Sequence, residues 1–182
     1  MLLRPEAKFE LARRVQIGDA TLGEVFAFCS GLYFRGKLAY ARHFARPPGT
    51  ASGAQVITPS RGLLPWNSPV DSACLREFAS VPVDVSEPRY LEPLTKSAVA
   101  LARLEIDELV LLGSIATGKY AECLLPHFGE RLRFPRDFIG RGDMSRGGLL
   151  LRCVEGNEEL PYIPVLGAIR RGNRPPKLTP RR

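Results

Sequence analysis

The chain has 182 residues, 45% apolar and 25% charged, which is the usage of a globular domain and excludes a disordered or fibrous chain. No stretch approaches the ~18 uncharged apolar residues of a membrane span, and the opening MLLRPEAKFELARR places charges where a secretory leader needs an apolar run, so a soluble cytoplasmic protein is expected. The formal charge is +7, and its placement along the chain matters more than its size.

In chain order, residues 1–20 read as a short arm of helical character. EVFAFC (24–29) reads as a strand, and 33–45 as a helix with Phe34, Leu38, Ala41 and Ala45 on one face. AQVIT (54–58) is a second strand, followed by the Pro-rich PSRGLLPWNSPVD and a helical turn at CLREFA. A helix from about Leu94 to Leu104 precedes ELVLLG (108–113), the clearest buried strand, and TGKYAECLLPHF reads as the next helix. RLRFP (131–135) ends the series. Strands separated by helices imply parallel pairing, because parallel neighbours need a long return. Beyond Gly140, LLLRCV (149–154) and ELPYIPV (159–165) flank EGNE and read as an antiparallel hairpin. The expectation is a three-layer α/β fold with a mostly parallel central sheet of about four strands, helices on both faces and a C-terminal hairpin. It forms one domain over 1–167.

Residues 1–159 hold 20 basic and all 19 acidic residues, a net +1, whereas 160–182 hold six basic residues and no acid. These are Arg170, Arg171, Arg174, Lys177, Arg181 and Arg182, in the Pro-rich segment 168–182 that is expected to be disordered until it meets a partner. A polyanion suits it, since each neutralised phosphate releases counterions; a solvated tail without specific contacts and a membrane-surface contact are the other readings. Cys29, Cys74, Cys123 and Cys153 have no C-x-x-C spacing, and there are only two histidines, so no metal or cofactor is expected and the thiols read as reduced.

Ligands of open α/β sheets bind beyond the carboxyl ends of the strands, which directs attention to four segments. The first contains Arg35 and Lys37, the second Ser60 and Arg61. The third contains Ser114, Thr117 and Lys119, and the fourth Arg141, Asp143, Ser145 and Arg146. Gly-rich backbone, hydroxyls and cations are the groups that hold an anion. Gly113 to Lys119 has the G-x-x-x-x-G-K spacing of a phosphate loop. Tyr120, however, stands where a nucleotide triphosphatase needs a magnesium-binding hydroxyl, so an ATPase is rejected. The loop either holds a phosphate or carboxylate, or is a Gly-rich turn with Lys119 solvated. In GRGDMSRGG, Asp143 is either a general base among arginines or the brace of a turn. Trp66 either stacks on a base or anchors its loop.

The order LYFRGKLAYA, VITPSRGLLP, LVLLGSIATGKYAECLLPHFG resembles, over residues 24–135, the layout of α/β domains related to the uracil-DNA-glycosylase-like fold, including the domain within archaeosine synthase, which modifies a nucleobase in transfer RNA. The chain lacks that family's acidic residue in a Gly-Pro loop and its His-Pro-Ser-type motif. The resemblance therefore implies a nucleobase or nucleotide context and not a particular activity. Three functions remain open: a nucleic-acid- or nucleotide-binding protein, acting on a base or ribose without a metal if it is an enzyme; a non-catalytic RNA- or ribosome-associated module; or an enzyme acting on a small-molecule phosphate ester. Neither the oligomeric state nor a choice between RNA and DNA follows from the residues.

Overall fold

The computed structural model describes the chain apart from Pro5, Thr50, Glu105, Arg170, Arg171, Lys177 and residues 179–182. Helix α1 (Glu10–Ile17) buries Ala12 and Val15, three residues apart on one face, and stops at Gly18, whose φ of 74° suits a residue without a Cβ. Strand β1 (Ala20–Thr21) pairs antiparallel with β4 (Pro69–Val70).

The segment 24–29, expected as a strand, lies inside a long helix, α2 (Leu22–Phe44). The reason is its start. Thr21 and Glu24 form a reciprocal capping box, in which the Glu24 N–H donates to Thr21 Oγ1 while the Glu24 carboxylate accepts from the Thr21 N–H at 2.9 Å. The cap outweighs the strand preference of Val25, Phe26, Phe28 and Cys29. Arg14 adds an ion pair to Glu24 at 2.6 Å, and with the Thr21 bonds it holds the Glu24 carboxyl down at about 2. A depressed carboxyl stabilises the fold above its ordinary value of 4.5 and loses that contribution as the pH falls through about 2. Glu24→Gln is therefore expected to flatten the acid loss of stability across that interval, followed as melting temperature against pH.

Helix α2 is interrupted at Gly31 (φ 62°, ψ −140°). Before the break, Leu22 and Val25 pack with Ala12, Val15, Val70 and Phe78 in a small apolar cluster. Beyond it, Tyr40 and Phe44 enter the larger core. Strands β2 (Gln55–Ile57) and β3 (Leu63–Pro65) form a hairpin. Its turn is tied by Thr58, whose hydroxyl donates to the Gly62 carbonyl at 2.8 Å and accepts from the Arg61 N–H at 3.0 Å. Helix α3 (Ser72–Ala79) is capped by Asp71. Helix α4 (Pro88–Ala102) begins earlier than expected because Pro88 opens it, where its missing N–H costs nothing.

The main sheet has the order β5 (Leu109–Val110), β6 (Leu132–Pro135), β7 (Tyr162–Pro164). β5 and β6 are parallel, with α5 (Ala121–Phe128) on the return between them. β7 runs antiparallel to β6. Among the described residues the fold thus mixes helices with small sheets of two, two and three strands, as in an α/β protein, and does not show the expected central sheet of about four mostly parallel strands. The expected C-terminal hairpin is also corrected. Residues 149–154 belong to helix α6 (Asp143–Gly156), which buries Gly147, Leu150 and Cys153 at three-residue steps. What looked like hairpin chemistry at Gly156-Asn157 is a helix stop, with Asn157 left-handed at φ 51°.

Helices α2 and α6 cross at Gly36 and Gly147. A Cβ on Gly36 would lie 2.7 Å from the Gly147 carbonyl oxygen, and one on Gly147 would lie 2.8 Å from the Leu32 carbonyl oxygen. The end of α2 is tied to the approach to β7: the Leu160 N–H donates to the Tyr40 hydroxyl (2.7 Å), which meets the Tyr162 hydroxyl (2.7 Å), which donates to Glu159 (2.9 Å). Among the described residues, no helix is long and apolar enough to cross a membrane.

Candidate functional site

The carboxyl ends of the two parallel strands, β5 and β6, meet the α2–α6 crossing, and the most unusual side chains of the molecule gather there. Beyond β5, the Leu112 carbonyl accepts the Tyr33 hydroxyl at 3.0 Å. Beyond β6, Phe138 packs edge-on against the Tyr33 ring, with centroids 6.3 Å apart. One helical turn after Tyr33, the Lys37 ammonium stands 4.4 Å from the Tyr33 ring centroid and 5.2 Å from that of Phe34. Among the described residues Lys37 has no hydrogen-bond or ion-pair partner.

Burial lowers the pKa of Lys37, because removing water penalises the ammonium; Asp143 on α6 opposes that effect and Arg146 reinforces it. Burial also raises the Tyr33 phenol to about 12, and it raises Tyr120, on which the Asp143 charge acts too. The Tyr120 ring lies over Gly113, where a Cβ would stand 3.3 Å from Tyr120 Cδ2. Its hydroxyl has no hydrogen-bond partner among the described residues. Two protonated phenols, one carboxylate and two cations therefore face one another across α2, the β5–α5 loop and α6.

The fourth segment supplies the floor. Arg146, only 15% exposed at its side chain, donates to the Phe138 carbonyl at 3.1 Å and lies over the Phe138 ring. Asp143, 69% exposed in the first turn of α6, pairs with Arg146 at 3.6 Å and complements the positive end of the helix. Arg141 donates to the Asp137 carbonyl, to Ser145 Oγ and, at 3.4 Å, to the Pro176 carbonyl. The C-terminal segment thus reaches this floor: Asn173 abuts Gly140, and Leu178 lies 3.5 Å from where a Gly148 Cβ would be. Of its basic residues, Arg174 is described and exposed, while Arg170, Arg171, Lys177, Arg181 and Arg182 lie outside the described residues.

The other expected residues are placed differently. Residues 30–37 are part of α2 rather than a loop after a strand, so Lys37 reaches the site from a helix, whereas the exposed Arg35, two residues from both Tyr33 and Lys37, lies on a different face of it. Ser60 and Arg61 sit on the β2–β3 turn and bond to Glu77 of α3, Ser60 Oγ at 2.5 Å and Arg61 Nε at 3.1 Å. That pair joins the hairpin to α3, and its strands belong to a different sheet from β5 and β6. In the β5–α5 loop, Ser114 Oγ accepts the Ala116 N–H at 3.3 Å, and Thr117 and Lys119 are exposed. The Glu122 carboxylate lies against Gly118, so an internal anion already occupies part of this turn. Trp66 packs on Gly23 and carries the Arg42 guanidinium 4.1 Å from its ring centroid, so that face is covered. Tyr33, Tyr120 and Phe138 were not among the expected site residues. The four-residue spacing of Tyr33 and Lys37 marks them as neighbours once the helix is recognised.

Among the described residues, no group of three or more His, Cys, Asp or Glu is placed to hold a metal. No family model, curated protein or solved structure matches the chain.

Proposed function

We propose that the protein binds a nucleic acid or a nucleotide-like anion at the carboxyl ends of β5 and β6, in the cytoplasm, with the basic C-terminal segment adding non-specific affinity. The observation that carries this reading is Lys37: a half-buried cation, walled by two rings and without an anionic contact among the described residues. A buried charge is normally paired, and one left unpaired costs stability unless a ligand supplies the counter-charge. Lys119 is an exposed cation on the neighbouring β5–α5 loop. The nucleobase context rests on the resemblance of the sequence to the uracil-DNA-glycosylase-like domains alone, and Asp143 is the carboxylate available for chemistry on a base or ribose.

Lys37→Met should therefore stabilise the free protein, by about 0.5–2 kcal/mol as cavity- and charge-optimising substitutions commonly do, and should abolish saturable binding. The measurement is a salt titration of binding to RNA, single-stranded DNA and duplex DNA, with the unfolding free energy determined in parallel. Loss of stability together with binding would make Lys37 structural and end this reading.

The charge of the C-terminal segment favours a second reading, a non-catalytic RNA- or ribosome-associated module. Replacing Arg170, Arg171, Arg174, Lys177, Arg181 and Arg182 with Gln separates the two. Under the first reading the protein keeps saturable binding with a shallower salt slope, since each lost phosphate contact removes about 0.7–0.9 from it. Under the second, binding vanishes while Lys37→Met binds normally.

A further inference from the structure

The proposed anion site explains a cation, but not why that cation is a lysine set between aromatic rings. The chain holds 26 Lys and Arg residues, and only five are Lys: Lys8, Lys37, Lys96, Lys119 and Lys177. Lys8, Lys96 and Lys119 are exposed, and Lys177 is not described. An arginine would serve an anion better, because its fork binds phosphate in two places and stays charged when buried. A lysine in the same position offers something else, a primary amine that becomes nucleophilic once it loses its proton. The surroundings favour that state. Burial between the Tyr33 and Phe34 rings withholds water from Nζ and outweighs the Asp143 charge, which favours the ammonium; Arg146 opposes the ammonium, and among the described residues no hydrogen bond engages the amine.

We propose that Lys37 is a carbonyl-capturing residue that forms an imine with an aldehyde or ketone bearing a phosphate. The Nζ lone pair forms a bond to the carbonyl carbon, and the C=O electron pair moves to oxygen, which takes up a proton. The nitrogen sheds a proton, the nitrogen lone pair then expels the hydroxyl as water to close the C=N bond, and the remaining N–H proton returns to the phenolate oxygen of Tyr120. Amine and carbonyl become imine and water, with no oxidant or other co-reactant. Tyr120, protonated and without a hydrogen-bond partner among the described residues, is the donor available to the carbonyl oxygen. Asp143, whose charge acts on both Lys37 and Tyr120, is the base that receives the nitrogen proton and returns it to the leaving hydroxyl. The phosphate part of this inference rests on the anion-binding reading; the imine part does not.

The experiment exposes the full-length protein to pyridoxal 5′-phosphate, or to unphosphorylated pyridoxal, with cyanoborohydride, which reduces imines irreversibly. Adducts are counted by intact mass and located by peptide mapping. The expected result is one adduct per chain on Lys37, formed at least tenfold faster than on any other lysine and slowed by inorganic phosphate. Lys37→Arg should lose that adduct while retaining the wild-type melting transition, which guards against mistaking unfolding for lost reactivity. Asp143→Asn should slow labelling without moving it to another lysine. Label spread evenly over the lysines, or absent from Lys37, overturns the proposal. If pyridoxal labels Lys37 as fast as its phosphate ester and inorganic phosphate gives no protection, the imine stands and the anion reading fails. If phosphate binds in a Lys37-dependent way but nothing is trapped, the anion reading stands and the imine fails.

Discussion

Gly147→Ala is expected to destabilise the protein by about 3 kcal/mol, the upper end of what overpacking a close-packed interior costs. The obstacle is backbone, not a side chain that could rotate away: a Cβ at 147 would stand 2.8 Å from both the Leu32 carbonyl oxygen and the Tyr33 Cα. Relief requires α6 to move off α2, which would open the wall that holds Tyr33 and Lys37. The neighbouring residue is an internal control. A Cβ on Gly148 meets only Leu178 Cδ1, at 3.5 Å, an ordinary contact. Gly148→Ala should therefore gain up to about 1 kcal/mol from helix propensity. Urea unfolding of the two variants checks the pair, and similar effects at 147 and 148 would refute the crossing as described.

Phe134→Ala should cost about 3–5 kcal/mol, as for other large-to-small changes at buried aromatic positions. Phe134 lies in β6, between β5 and β7, with 2% of its surface exposed; Leu132, on the same face, is fully buried. Alternation then places Arg133 on the other face, where it pairs with Glu108 at 3.2 Å, both side chains more than a third exposed. Arg133→Ala should change stability by less than about 1 kcal/mol, since exposed pairs contribute little. Adjacent residues of one strand would then differ severalfold in denaturant unfolding. Comparable losses at 133 and 134 would mean that the two faces of β6 are not as unequal as their burial implies.

What could be read from the residues followed the strength of local signals. The runs at 54–58, 108–113 and 131–135 hold the strands β2, β5 and β6, and the helix between the last two gives the expected parallel pair. The two segments misread as strands share one cause. EVFAFC and LLLRCV are short apolar runs rich in residues that favour strands, and over six residues a buried strand and one side of a helix look alike. Signals at their ends decided the matter: T-x-x-E at 21–24 starts one helix, and Gly156-Asn157 stops the other. The misreadings also explain the incomplete site. With 24–29 as a strand, residues 30–37 read as a loop, and the one-turn relation between Tyr33 and Lys37 disappears. Of the four cation-bearing segments read as one edge, the third and fourth adjoin β5 and β6, while the second belongs to another sheet. The engagement of Arg61 by Glu77 and of Arg146 by the Phe138 carbonyl was not legible, since the partners, 16 and 8 residues apart, belong to different elements that meet only through the fold.

The Gly36–Gly147 crossing also bears on how the chain is made. At synthesis rates of roughly 5–20 residues per second, the second half of α2 leaves the ribosome on the order of ten seconds before α6 exists to cover it. During that interval Tyr33, Tyr40 and Phe44 have no α6 or β7 to pack against, while the capping box at Thr21 and Glu24 is already complete. The N-terminal cluster around Val15, Leu22 and Val70 can close first, leaving the Lys37 face as the last part of the molecule to assemble. Nascent chains halted before residue 143 should bind apolar-surface chaperones and lack the proposed ligand site, whereas release of α6 and β7 together should end both conditions.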